Sequence, residues 1–369
     1  MEKRAIITLV AGLASAAPHA PAAELPGRIA AIEHHTAACF APGTSVNCEV
    51  SAVVESNGKL IFANDKRLPA NGGPALFTLD LEQGKISGVP TVLPGDALKE
   101  ADKYEALTKT LDGRYMIAST AFNKAGTEQD PRADILSTLL YWPVGDPEAA
   151  KPLLPSSRGG VTSSIALRKQ ISEAIGAPYF QIEGITMAPS EPVHEEAADG
   201  QLIIGIRKQG NSSADSHFGF LLISAHVKFR NGNMELVEGF KSIQNINVQA
   251  QGQTLGLSGI EYDRFNKDRL YAVTSFEQQS VDAAGKKTTE IGGFLWAVPF
   301  TAGKPGTPQL MTRKDGSTLR FSNKPEGVEV LNAHQIMVVH DDDRVEVKTS
   351  EAGIKRGDNE FAYSKITLP

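Results

Sequence analysis

The chain is short of cysteine, tryptophan and clustered positive charge, and each shortage excludes something. Only two cysteines and two tryptophans occur in 369 residues. Two cysteines cannot form a dense disulfide scaffold and, with no histidine-rich cluster beside them, make a poor zinc site. Lys and Arg number 37 against 43 Asp and Glu, for a formal net charge of −6. That balance lacks the basic footprint of a nucleic-acid-binding protein. Past the N-terminus no window of about 18 apolar residues occurs, so no segment reads as a membrane-spanning helix. There is no G-x-S-x-G elbow, no H-E-x-x-H and no phosphate-binding glycine loop. Nucleophilic-serine, zinc-protease and nucleotide-binding readings therefore have no motif behind them.

The N-terminus has the three parts of a secretory signal: Lys3 and Arg4, an apolar run over residues 5–17, and small residues at Ala20, Ala22 and Ala23. Residues 1–23 are expected to be removed, leaving 24–369 as a single domain in the periplasm or outside the cell. In that oxidising setting Cys39 and Cys48 are expected to pair as a structural disulfide.

A degenerate unit recurs five times, at Ser51, Glu105, Glu183, Ser258 and Glu326. Each copy opens with Glu or Ser followed by Ala or Gly, then an apolar strand, a polar turn and a second apolar strand. A third strand follows in the first four copies, for example ALFTLDL from Ala75 and GGFLWAVPF from Gly292, and short fourth strands follow at MELVEGF from Met234 and PQLMT from Pro308. Four antiparallel strands per unit make the blade of a β-propeller, so the expected fold is all-β with five four-stranded blades. The fifth unit ends with its third strand, EFAYSKITLP. GRIAAIE from Gly27 is expected to supply the fourth and close the ring, unless residues 27–48 form more than a strand, which would give six blades. Residues 163–175, with Ile165, Leu167, Ile171 and Ile175 near one face, read as a helical insertion.

With the units written out, the chain resembles secreted bacterial β-propellers of the phytase-like group, those described as having esterase-like activity of phytase, and their uncharacterised relatives. The likeness rests on IEGI, LSGI and PEGV at Ile182, Leu257 and Pro325, on LIIGIRK from Leu202 and on FANDK from Phe62. It implies an exported propeller with hydrolytic activity at the channel mouth. Calcium-dependent propellers of this type gather many acidic side chains there, whereas this chain has fewer, with Lys66 and Arg207 among them.

The start of a blade's first strand and the end of its second meet at one rim. This brings Glu105, Glu183, Glu326, Asp65, Asp341, His340, Lys66 and Arg207 to one mouth. Carboxylates aimed at a common axis repel one another unless a cation, protons or basic side chains neutralise them. Glu105, Glu183, Glu326 and Asp341 are thus candidate metal ligands, with Ca²⁺ first because the donors are oxygens. Arg207, Lys66 and Asp65 are candidate substrate-binding residues, and Glu183, Glu326 or His340 would activate water. The alternative for each Glu is a tie to the next blade, and for Glu183 with Arg207 an ion pair. Asp341, Asp342 and Asp343 also read as a solvated turn. Two functions follow: a metal-assisted hydrolase of an anionic ester, phosphoester or lactone, or a non-catalytic propeller that binds a small ligand or a protein partner on its loops.

Overall fold

A computed structural model describes residues 27–39, 48–67, 75–82, 84–124, 131–190, 198–281, 285, 287–341, 356–357 and 359–369. The signal-like segment, Asp342, Asp343 and most of the acidic insertion between blade 3's first two strands lie outside these residues. Five antiparallel sheets form a ring. Their inner strands are Val50–Ser56, Tyr104–Lys109, Tyr179–Ala188, Gly256–Tyr262 and Lys324–Asn332, and each contacts the next, the fifth returning to the first. The protein is a five-bladed β-propeller, and the described residues form no sixth blade.

Both faces of every blade are covered, which explains why the strands read as nearly continuous apolar runs. Alternation along a strand sends successive side chains to opposite neighbours. In blade 1, Leu60 and Phe62 enter the core shared with blade 5, while Ile61 and Ala63 enter the core shared with blade 2. Five such layers, one per blade junction, make up the core. The helix Ile165–Ile175 is present and packs Leu167 and Ile171 into the layer between blades 2 and 3. Gly176 ends it in the left-handed conformation at φ 71°.

Ring closure differs from expectation by a few residues. Ala31–Ala38, rather than the stretch beginning at Gly27, pairs with Glu360–Thr367 as the fourth strand of blade 5. The preceding residues join blade 4 instead: the Ile29 amide donates to the Thr312 carbonyl at 2.8 Å, and Thr312 donates to Gly27 at 2.8 Å. Cys39 and Cys48 are bonded, linking the end of the closing strand to the start of blade 1. Outer edges are irregular in blade 4, where Lys304–Pro305, Gln309–Leu310 and Arg320–Phe321 share the role expected of one strand. In blades 3 and 4 the second and third strands run past the rim as hairpins, pairing through Gly210 with Ser216 and through Val281 with Lys287. Among the described residues no helix is long and apolar enough to cross a membrane.

Candidate functional site

The five residues that open the sequence repeats share one structural device. Each inner strand has a register shift at Ser51, Glu105, Glu183, Ser258 or Glu326. A bulge leaves one residue without a cross-strand partner and re-aims its side chain, here toward the mouth of the channel. The Ala or Gly that follows has an equally physical cause, because the inner strands approach closely just below. A Cβ on Gly327 would lie 2.8 Å from Ala52 Cα, and one on Gly259 would lie 2.5 Å from the Glu326 carbonyl oxygen. The axis there narrows to a cavity of about 10 Å³, room for one water at most. The mouth is therefore a cup and not a pore.

The cup has a volume of about 160 Å³ and is lined by charged side chains from all five blades. Asp65, Glu105, Glu183, Arg207, Glu326 and Asp341 all face it, as the rim argument requires. They meet as a paired network. Arg207 Nη1 donates to Glu183 Oε2 at 3.0 Å and to Glu326 Oε1 at 3.2 Å. Lys324 Nζ lies 3.0 Å from Glu326 and 3.7 Å from Asp341. Lys103 bonds Glu105 and lies 3.1 Å from Asp65. Gln181 donates to Glu183.

Burial drives the protonation of this network. It pushes the Glu105 carboxyl up to about 7, against the pull of Lys103. Glu183 is raised well above the usual carboxyl value by burial and by Glu105. For Asp65, burial is outweighed by Lys103 and Lys66, which hold it below its ordinary value. Arg207 is buried and Lys103 partly so, and their carboxylates hold both protonated.

Two proposed participants stand elsewhere. Lys66 is half-exposed at the edge, 2.6 Å from Glu49 and 2.9 Å from Asp65. His340 is turned away from the cup, because it and Asp341 are consecutive on one strand and point to opposite faces. Its Nε2 bonds Ser364 Oγ at 2.7 Å, its ring meets Phe321 edge-on, and burial pushes it down to about 3. A neutral histidine so enclosed is not positioned to activate water in the cup. Glu105, Glu183, Glu326 and Asp341 do not fit a calcium site either. Among the described residues no three acidic, histidine or cysteine side chains form a group able to hold a metal ion, and all four carboxylates face ammonium or guanidinium nitrogens within 4 Å.

Several cup residues were missed. Lys103, Gln181 and Lys324 stand two positions before Glu105, Glu183 and Glu326, Gln181 and Lys324 on the same strand as their Glu and Lys103 just ahead of its strand at φ 60°. The recurring K/Q-x-E is the signal that could have found them. Phe218 and Glu277 come from the hairpins of blades 3 and 4, while Lys208 stands beside Arg207 at the end of its blade's second strand, where the rim argument puts it. A second buried network closes the opposite end of the channel, three positions along the same strands. Glu261 accepts from Arg264 at 3.1 Å and from Thr186 at 3.1 Å, and Lys109 lies 2.9 Å from Glu55. Glu329 joins it, with Oε2 buried and lacking a hydrogen-bond partner among the described residues. Burial and then Glu261 push Glu329 up to about 8.

A five-bladed propeller with a charge-paired cup at one mouth is the class that fold and site define. No family model matches the chain, and no curated protein matches it. Among solved structures, it is similar to an exo-inulinase from Aspergillus awamori at 12% identity and TM-score 0.42, covering 92% of this chain and 63% of that one. A PQQ-bound aldose sugar dehydrogenase from Streptomyces coelicolor aligns at 10% identity and TM-score 0.37, over 91% and 98%. A luciferin-regenerating enzyme aligns at 10% and 0.35, over 87% and 78%. Likeness at that level says nothing of activity.

Proposed function

We propose that the cup is a hydrolytic site for a small anionic ester, phosphoester or lactone, with Glu105 as its acid–base group. The observation that carries this reading is the convergence of three buried glutamates from blades 2, 3 and 5 on one cavity, with the Glu105 carboxyl poised at about 7. A group that titrates near working pH serves best as both acceptor and donor of a proton. For an ester, the Glu105 carboxylate takes a proton from water as its oxygen adds to the carbonyl carbon. The resulting oxyanion is stabilised by the ammonium and guanidinium groups of Lys103 and Arg207. Collapse breaks the acyl–oxygen bond, and the Glu105 acid returns the proton to the departing alkoxide, leaving a carboxylic acid and an alcohol.

The resemblance to secreted phytase-like propellers supports hydrolysis, and together with the Cys39–Cys48 bond it supports an exported location. The rim hairpins of blades 3 and 4 favour a second reading, capture of a small ligand or protein partner without turnover. Assay against small esters, lactones and phosphoesters separates the two. Hydrolysis that falls at least about 100-fold in Glu105→Gln supports the enzyme. Saturable binding without turnover, or full activity in that variant, overturns it.

A further inference from the structure

The cations of the cup are not equivalent. Lys103, Arg207 and Lys324 each have a carboxylate within 3.2 Å. Lys208 makes no salt bridge among the described residues; its ammonium lies 4.4 Å from the centre of the Phe218 ring. We propose that the cup takes its ligand by a single carboxylate seated on Lys208, at the lip between blades 3 and 4. This rests on the hydrolytic reading and narrows its substrates to carboxylate-bearing esters or lactones, with phosphoesters disfavoured.

The placement of Lys208 follows from the backbone. The register shift between Ile206 and Lys208 aims Arg207 inward, and Lys208 returns to the ladder opposite Gln181 and Phe218. The aromatic face orients the ammonium without neutralising it. Burial and the neighbouring Arg207 disfavour its charge, Glu183 and Glu277 favour it, and Lys324 opposes it. An ammonium kept charged in such surroundings gains from an added anion.

The same surroundings limit that anion to one negative charge. Glu183 and Glu277 would repel a second charge, and Arg207 Nη1 is already shared between Glu183 and Glu326, which weakens its capacity to grip a phosphate as a fork. The cup's volume of about 160 Å³ holds on the order of ten water-sized volumes, enough for a short hydroxy acid or its ester.

Titration calorimetry of the full chain with lactate and with inorganic phosphate tests this. Lactate should bind at one site and more tightly than phosphate. Lys208→Met should weaken lactate at least about tenfold, the scale of one hydrogen bond to a charged group, while Lys208→Arg should retain it. Phosphate binding as tight as lactate, unchanged binding in a folded Lys208→Met, or no saturable binding of lactate overturns the proposal. If Lys208→Met does not fold, the wild-type preference between the two anions decides. Calorimetry reads binding without turnover, so its failure is distinguishable from loss of the Glu105 chemistry.

Discussion

One nitrogen of Arg207 joins Glu183 of blade 3 to Glu326 of blade 5, spanning blade 4 between them. Blade 4 makes room for the span. It has Ser258 where its neighbours have Glu, and a Cβ on its Gly256 would lie 2.7 Å from Arg207 Cγ and 2.6 Å from Phe218 Cδ1. The side chain that blade 4 lacks is thus replaced by one reaching in from blade 3. Removing a single partner of a buried ion pair leaves its carboxylate short of compensating charge, and here two are affected at once, with Gln181 left on Glu183 and Lys324 left on Glu326. Arg207→Met should cost about 3–5 kcal/mol in urea unfolding at neutral pH. A loss below about 1 kcal/mol would mean that the bridge does not hold the ring.

The far end of the channel sets an alkaline limit. Glu329 titrates ordinarily at 4.5 when unfolded and near 8 when folded. Its raised pKa means that the stability from the neutral carboxyl is complete below pH 4.5 and is lost as pH rises through about 8. Glu329→Gln carries no such proton, so its stability between pH 5 and pH 8 should fall less than that of the wild type. Equal slopes for the two proteins in urea unfolding at both pH values would refute the assignment.

The bond between Cys39 and Cys48 holds the closing strand beside blade 1 across a separation of 9 residues. A loop of that length gives about 2–3 kcal/mol by restricting the unfolded chain. Reduction should lower the melting midpoint, and amides of Ala31–Ala38 should exchange faster than those of the inner strands. A midpoint indifferent to reductant would show that pairing with Glu360–Thr367 alone closes the ring.

Five recurrences of Glu or Ser before Ala or Gly were legible because both positions answer to backbone geometry: a bulge and a close approach. Five blades and the closing strand followed from the same count. The shift of that strand to Ala31 was not legible, since Gly27 and Ile29 are bonded to Thr312 of blade 4 by backbone groups that any residue could supply. His340 was read as part of the mouth because it adjoins Asp341, yet ladder alternation sends the two apart. Arg207 could be paired with Glu183 from the repeat alone, whereas its reach to Glu326 depends on a missing side chain in another blade. Lys208 follows Arg207 at the end of a second strand and Phe218 opens an apolar third strand, but it is the extension of the blade 3 and blade 4 hairpins past the rim that brings Phe218 and Glu277 to the cup.

The most direct measurement is the pH dependence of kcat/KM on the best ester or lactone, for wild type and Glu105→Gln. If the Glu105 carboxylate accepts the proton from water, wild-type kcat/KM rises with pH through an apparent pKa near 7. Glu105→Gln should retain only a small activity without that limb. A limb near 7 that persists in Glu105→Gln would contradict the account and assign the acid–base chemistry to another group.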